Sequence, residues 1–194
     1  FGWDRGDARL VLDRKGRDFL ATENDRASLA IMRGRAFRRE LLSWMRLRDG
    51  HPRAGRDGMD RTALGLSRLE ALATPLVLGP LWPLADAVKL TGKLTSEAAA
   101  TLSAPVIALF HRPVDEDPVV SGRAYLRMCL EAASLGFAGW PMAALSDHRP
   151  SVEAVCARFG IAADRRLVQA IRFGKPTGEA PSRARRPIDE LLLP

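Results

Sequence analysis

The longest hydrophobic pattern in the chain runs from Ser121 to Pro141 and has the period of an amphipathic helix. Its apolar positions fall three or four residues apart, which predicts a helix with one buried face. That face consists of Leu126, Leu130, Ala133 and Phe137, widened by Tyr125, Cys129, Ala132 and Leu135. Gly136 can adopt the left-handed conformation that ends helices, and Pro141 prevents the helix from resuming. The pattern fits either a plain core helix or a helix whose end forms the wall of a ligand site.

Three further segments have the composition of β-strands. Val106 to Phe110 is a continuous apolar run, which is typical of a buried strand. Arg165 to Phe173 alternates between two sets of side chains, and Ala8 to Asp13 is a shorter run followed by a polar turn.

A second helical pattern carries several arginines. Its apolar face is formed by Phe37, Leu41, Trp44 and Met45, and the remaining positions include Arg38, Arg39, Arg46 and Arg48. These arginines could form a face that binds anions or nucleic acid. We favour a solvated helix face beside a buried tryptophan, because long charged side chains usually lie in water.

Composition places the chain among ordinary globular proteins. Its 194 residues are 46% hydrophobic and 27% charged, which suits one domain with a sizeable core over residues 1–194. The net charge of +7 invites a nucleic-acid partner. Arginine supplies nearly all of the positive charge, however, and aromatic residues are not interleaved with it as a stacking platform requires. We therefore do not expect nucleic acid as the main partner.

The small number of cysteines indicates the cellular compartment of the protein. Cys129 and Cys156 are too few for a disulfide scaffold and lack metal-ligand spacing, so we expect no metal site and a reducing cytoplasm.

No apolar run approaches the roughly 20 residues of a membrane-spanning helix. The chain begins without Met, as if already under way, and we expect a preceding segment to be missing from it.

Motifs of the common enzyme classes are absent from the sequence. His111 and His148 each precede an Arg-Pro pair, with no nucleophile pattern nearby that would complete a hydrolytic triad. The sequence has neither a phosphate-binding loop nor the glycine fingerprint of dinucleotide-binding proteins. If the chain is an enzyme, a bound cofactor is expected to carry the chemistry, and we name no catalytic residue.

The order of the segments from about Phe37 to the end, and most strongly from Gly122 onward, resembles the C-terminal half of the nitroreductase family. The strand VIALF precedes a long helix, GRAYLRMCLEAASLGFAGWPM, and a short helix that ends ARFGI. A strand with a following Gly-x-Pro, RLVQAIRFGKP, and a basic tail, RARRPIDELL, complete the pattern. Upstream, FRRELLSWMRL and DGM resemble the divergent branch related to mycobacterial dormancy nitroreductases.

This resemblance implies an α+β fold with a mainly antiparallel central sheet flanked by helices. It also implies a homodimer that binds FMN between its subunits, with a C-terminal tail that is a candidate for exchange between them. The family's arginine-rich first helix and the Asn/Gln-containing segment after it have no counterpart in this sequence. Phe1-Gly2-Trp3 would be what remains of the strand that follows them.

The resemblance also implies cofactor-binding residues. The bend after the central helix would lie against the flavin ring and present mainly backbone groups near N5. Ala143 stands where some members carry an acidic residue. In the tail, Arg183 and Arg185 would hold the FMN phosphate, since guanidinium groups match phosphate oxygens in paired hydrogen bonds. The implied flavin-ring residues are Trp140, Pro141, Met142, Ala143 and Ala144.

The implied activity is an FMN-dependent oxidoreductase that works by a ping-pong scheme. A hydride would pass from NAD(P)H through the flavin to a nitroaromatic or quinone-like acceptor. Two alternatives are a protein that stores or sequesters flavin with little turnover, and a basic nucleic-acid-binding module. The choice of NADH or NADPH and the physiological acceptor are not encoded in any pattern of this sequence.

Overall fold

The computed structural model describes residues 5–178 and 184–192, which contain both helices and strands. The helices are α1 (Arg14–Met32), α2 (Arg35–Trp44), α3 (Arg68–Leu78), α4 (Trp82–Ala87), α5 (Thr91–Leu94), α6 (Ala98–Ser103), α7 (Pro118–Ser134), α8 (Ala143–Asp147) and α9 (Arg149–Phe159). The strands are β1 (Ala8–Val11), β2 (Met45–Arg46), β3 (Met59–Asp60), β4 (Val106–Pro113), β5 (Ala138–Pro141) and β6 (Arg165–Gly174). Short 3₁₀ turns cover Arg5–Asp7 and Ile188–Glu190.

These elements fall into two compact units. The first comprises residues up to 31 and residues 95–177, and the second comprises residues 32–94 and the described residues from 178 onward. The first unit contains β1, β4, β5 and β6, together with most of α1 and with α6 to α9. The second contains α2 to α5 and the two-residue strands β2 and β3.

A four-stranded antiparallel sheet forms the centre of the first unit. Its strand order is β1-β4-β6-β5, so β1 and β5 lie at its edges. The pairing of β4 with β6 runs from Val106 opposite Phe173 to Pro113 opposite Arg165, with a register shift after Phe110. The predicted strands over residues 8–13, 106–110 and 165–173 are confirmed, and so is the α+β fold with an antiparallel sheet flanked by helices.

Each face of the sheet has its own hydrophobic cluster, because alternate residues of a strand point to opposite faces. On one face Ile107 and Leu109 pack with Leu20 of α1 and Val155 of α9. On the other face the cluster is built around α7, with Ala108, Phe110, Ala124, Met128, Ile171 and Phe173. Strand β4 is thus buried on both sides, which explains its uninterrupted apolar sequence.

The predicted central helix exists, and its buried face was predicted correctly only in part. Tyr125, Cys129 and Ala132 pack against the cluster on this side of the sheet, as predicted. Ser121, Ala124 and Met128 are the buried residues of α7, whereas Leu126 and Leu130 are 58% and 59% exposed. Apolar side chains surround most of this helix, so periodicity alone did not distinguish the face against the sheet. Small residues at positions 121 and 124 let the helix approach the strands closely, which larger leucines would prevent.

The ends of α7 are clearly marked. Asp117 caps its first turn, because its carboxylate accepts a hydrogen bond from the amide of Val119 at 2.7 Å. Gly136 follows the helix with a φ of +80°, so the predicted left-handed stop is confirmed. The chain then enters β5 at Ala138.

The second unit differs from its sequence-based interpretation at Arg38. The predicted helix is present as α2, but Arg38 is buried, while Phe37 and Trp44 are 43% and 49% exposed. The guanidinium of Arg38 donates to carbonyl oxygens and covers the ring of Trp82 at 4.5 Å. Buried arginine is tolerated here because hydrogen bonds and the aromatic ring replace water.

In the part of the chain that the structure describes, no helix is both long and apolar enough to cross a membrane.

Candidate functional site

The bend predicted to contact a ligand forms the outermost strand of the sheet. All four residues of β5 are exposed, and β6 is the strand next to them. The amide of Met142 donates to the carbonyl of Ala170 at 2.8 Å, directed into the sheet. Because inward and outward groups alternate in an antiparallel ladder, Gly139 and Pro141 direct their backbone groups outward. Proline suits such an edge position, since it has no N–H that a neighbouring strand would need.

Glycine at position 139 allows β5 to lie close to the side chains of β6. A β-carbon placed there would lie 2.7 Å from Cδ1 of Ile171 and 2.8 Å from Cε1 of Phe173. Distances below 3.0 Å force a shift of the neighbouring side chains. The flat, open edge at β5 therefore depends on this glycine.

Trp140 provides a partly exposed aromatic surface on this edge. The residue is 48% exposed, and the guanidinium of Arg172 lies 5.6 Å from the centre of its ring. Arg172 is itself held in place, because it donates to Oγ1 of Thr101 at 3.2 Å and pairs with Glu97 at 3.2 Å. The indole therefore lies next to a fixed cation and is about half exposed.

Sequence reasoning missed Arg172. In an alternating strand an arginine is expected to face solvent, yet this guanidinium lies beneath a tryptophan of the neighbouring strand. In the register of β5 with β6, Trp140 lies opposite Arg172. A correct prediction of this register would have shown that the two side chains are neighbours.

The residues that follow β5 divide between core and surface. Met142 is 2% exposed and belongs to the hydrophobic cluster that includes Leu145, so its side chain is not available to a ligand. Ala143 is exposed and Ala144 is half-buried in the short helix α8. The five predicted ring-contacting residues are thus contiguous in the first unit, and their accessible part is the β5 edge together with Ala143.

The predicted phosphate-binding arginines lie in the tail. Arg183 falls outside the described residues, as do Phe1-Gly2-Trp3. Arg185 belongs to the second unit, where its amide donates to the carbonyl of Gly55 at 3.2 Å. Its exposed guanidinium donates only to the adjacent carbonyl of Ala184 at 2.8 Å, among the contacts within residues 5–178 and 184–192. The backbone of the tail is therefore anchored, and the charged end of Arg185 is available.

An ionic network lies at the end of β4 and β6 that does not pair with β5. Arg112 binds Asp7 and donates to Glu116 at 2.7 Å, and Arg165 donates to Nδ1 of His111 at 2.6 Å. The hydrogen bond from Arg112 lowers the pKa of Glu116 to about 2, with further help from Ser121. The groups of this network satisfy one another, which indicates a structural role.

His111 and His148, which were not predicted to belong to a hydrolytic triad, both make local contacts. Burial lowers the pKa of His111, and the nearby charge of Arg165 lowers it further, against an opposing effect of Asp7. Nδ1 of His148 lies 2.9 Å from Oγ of Ser151, which is fully buried and also bonds to Glu23 at 2.9 Å. A buried serine of this kind cannot reach a substrate, so these contacts do not form a hydrolytic site.

Both cysteines are free thiols in partly buried positions. Burial raises the pKa of Cys129 and of Cys156, against smaller opposing hydrogen bonds. Since the thiolate is the nucleophile, a raised pKa lowers the reactive fraction of both thiols at neutral pH.

Comparisons with known proteins gave structural neighbours only. No family model and no curated protein sequence matches the chain. The chain is similar to solved structures of the FMN and NADPH-dependent nitroreductase NfnB from Sphigopyxis sp. strain HMH, and to two of its single-residue mutants. For the unmodified enzyme the identity is 19% over 95% of this chain and 77% of that chain, with a TM-score of 0.48. For one of the mutants the identity is 20% over 95% of this chain and 76% of that chain, and the TM-score is again 0.48. A likeness at this level assigns no role to any residue of this chain.

Proposed function

We propose that this chain is an FMN-dependent oxidoreductase that passes a hydride from NAD(P)H to a nitroaromatic or quinone-like acceptor. The observation that carries the proposal is the open sheet edge at β5, at the position where the sequence resembles the flavin-contacting bend of nitroreductases. All four residues of that strand are exposed.

The β5 edge fits the ring of a flavin in shape and in chemistry. Trp140 offers a partly exposed aromatic surface with a fixed guanidinium on its other side. Gly139 and Pro141 direct backbone groups outward, and these can meet the polar edge of a flat heterocycle. A flat apolar surface beside a few fixed polar groups is the usual composition of a cofactor site.

The phosphate of FMN would be held by arginines of the tail. Arg185 has an exposed guanidinium on an anchored backbone, which suits paired hydrogen bonds to phosphate oxygens. The resemblance assigns Arg183 the same role. The tail as a candidate for exchange between subunits remains part of the proposal.

The chemistry requires little from protein side chains. Bound flavin supplies hydride transfer between the reductant and the acceptor. The protein's residues bind and orient the ring, and Met142 and Leu145 anchor the end of β5 to the hydrophobic core. His111 and Glu116 are engaged in the ionic network, so neither is proposed as an acid or a base.

A homodimer is part of this proposal. Leu126 and Leu130 are more than half exposed on the outer face of α7, and the exposed Val119, seven residues before Leu126, lies on the same face of the helix. Exposed apolar surface of this extent is typical of subunit interfaces. A second subunit on this face would also account for the hydrophobic pattern that predicted its burial.

Binding of FMN and of riboflavin to the full chain tests the proposal, because riboflavin lacks the phosphate. We expect Trp140→Ala to weaken both ligands, and Arg185→Ala to weaken FMN by about tenfold while leaving riboflavin unchanged. Arg158→Ala is the matched control, since Arg158 is an exposed arginine of α9 that belongs neither to β5 nor to the tail. Equal weakening of both ligands by Arg185→Ala would exclude the phosphate role.

A flavin-storing protein would bind FMN by the same residues. The two functions differ in whether the bound flavin reacts with NAD(P)H. An absence of flavin binding, together with strong salt-sensitive binding of DNA, would instead favour the nucleic-acid module.

A further inference from the structure

A cavity lined by arginines lies within the second unit, and none of its lining residues is among those proposed to bind FMN. It has a volume of about 420 Å³, and it lies between one face of α2 and the connection from α3 to α4. The residues lining it are Arg35, Arg38, Arg39, Leu42, Leu78, Gly79, Pro80 and Pro83. Three of these eight are cations and none is an acid, so the lining of the cavity is positively charged.

Arg38 forms the fixed base of this cavity. It is 7% exposed, and its Nε and Nη1 atoms donate to the carbonyls of Leu78, Met32 and Arg33 at 2.6–3.0 Å. The ring of Trp82 holds the guanidinium from one side at 4.5 Å. Nη2 makes no hydrogen bond within the described part of the chain, so one amino group of a rigid guanidinium remains for a ligand.

Arg35 and Arg39 form the exposed rim of the cavity. They lie one helical turn apart on α2, and neither side chain has an ion pair or hydrogen bond among residues 5–178 and 184–192. Two unpaired guanidiniums beside a third, buried one can enclose a dianion with paired hydrogen bonds. The first turn of α2 also contains no acidic residue and no side-chain cap, so its backbone dipole adds to the positive field.

The other walls of the cavity indicate the remainder of the ligand. Leu42, Leu78, Pro80 and Pro83 present apolar surface, and the volume is far larger than a single phosphate needs. Cavities of about 300–1,000 Å³ with apolar walls and a few fixed polar groups are typical of sites for small organic ligands. We propose that this cavity binds an organic phosphate of nucleotide size, with its phosphate on the three arginines and its base on the leucine and proline walls.

This inference goes beyond the proposed function and does not depend on it. A nucleotide site in the second unit could exist in an oxidoreductase or in a protein that never binds flavin. Failure of FMN binding at β5 would therefore leave this proposal standing, and failure here would leave the FMN proposal standing.

Calorimetric titration of the full chain tests the proposal with four probes: 5′-AMP, 2′,5′-ADP, adenosine and inorganic phosphate. We expect at least one nucleotide to bind about tenfold or more tightly than either adenosine or phosphate alone, because each of these lacks one half of the contacts. Which nucleotide binds better identifies the position of the phosphate monoester. Equal affinity for the nucleotides and for phosphate alone would overturn the proposal, and so would the absence of nucleotide binding.

The double variant Arg35→Ala with Arg39→Ala supplies the matched test. Both residues are exposed on a helix that alanine favours, so the fold is expected to persist. Nucleotide affinity should fall about tenfold or more, and its dependence on salt should weaken. Arg158→Ala, which removes an exposed arginine outside the cavity, should leave affinity unchanged. If the alanine variant unfolds, Arg35→Gln with Arg39→Gln replaces it, and unchanged affinity in a folded variant would contradict the proposal.

Discussion

Gly139 occupies a position where the side chains of β6 leave no room for a β-carbon. Its neighbours at that point are the tips of Ile171 and Phe173, both of which belong to the cluster beneath α7. A larger residue would displace those side chains or lift β5 from the sheet edge. The shape of the proposed flavin surface and the packing of the core are therefore coupled through one residue.

Replacing Gly139 by alanine is expected to lower the free energy of unfolding by about 1–3 kcal/mol, the usual cost of overpacking. Urea denaturation measures this change. Gly122→Ala is the control, because nothing lies within 4 Å of a β-carbon at this exposed position of α7. That control should raise stability by about 0.5–1 kcal/mol, since glycine is unfavourable inside a helix. Equal stability of the Gly139→Ala protein and the wild type would contradict the close packing of β5.

The lowered pKa of Glu116 predicts that the free energy of unfolding depends on pH. Its pKa is about 2 in the folded protein against an ordinary value of 4.5, chiefly because Arg112 donates to its carboxylate. Between these two values the unfolded chain binds more protons, so the free energy of unfolding should fall as pH is lowered from about 4.5 towards 2. The contribution of Glu116 is fully present above pH 4.5.

Glu116→Gln should reduce this pH dependence, measured as urea midpoints near pH 5 and pH 3. Glu153→Gln is the control, because Glu153 forms an exposed pair with Arg149. Such a pair contributes little to stability, so the control should retain the slope of the wild type. A wild-type slope in Glu116→Gln would show that the ionic network does not depend on this carboxylate.

Single residues also show what the sequence did not reveal. The burial of Arg38 and the partial burial of Arg172 were missed, because both residues are charged and each has a partner in a distant segment of the chain. Arg38 reaches the carbonyl of Leu78, forty residues away. A pattern that scores each position by its own polarity cannot detect hydrogen bonds of this kind.

At the scale of elements, α7 has two apolar faces with different neighbours. Ala124 and Met128 pack on the sheet, and Leu126 and Leu130 face outward. Amphipathicity predicted the helix, its glycine stop and the packing of Tyr125, Cys129 and Ala132 correctly. It also assigned burial to Leu126 and Leu130, which lie on the outward face. The strands were easier to predict, because β4 is buried on both faces and β6 is bounded by polar turns.

The exposed apolar face of α7 leads to a prediction about the oligomeric state of the protein. We expect the wild type to be a dimer by light scattering, and Leu126→Glu with Leu130→Glu to be a folded monomer, because those residues do not contact the core. Met128→Glu should instead unfold the chain, since Met128 is 5% exposed in the cluster beneath the sheet. A dimer that persists in the double glutamate variant would place the subunit interface elsewhere.

At the scale of the whole molecule, the sequence was sufficient for the α+β class and insufficient for the site. Periodicity located the helix and strands around β5, and the family resemblance suggested a ligand there. The register that places Trp140 over Arg172, and the cavity beside Arg38, both depend on contacts between segments that are far apart in the chain. The net charge of +7 gave no indication of which arginines are buried and which are free.

The most direct test of the account is anaerobic mixing of the full chain, loaded with FMN, with NADPH and then with a nitroaromatic acceptor. We predict that NADPH bleaches the flavin absorbance of the bound cofactor and that the acceptor restores it, while Trp140→Ala impairs cofactor loading. Flavin that binds but stays yellow with both NADPH and NADH would contradict an oxidoreductase and favour storage. A chain that binds no flavin at all would contradict the proposed role of the β5 edge.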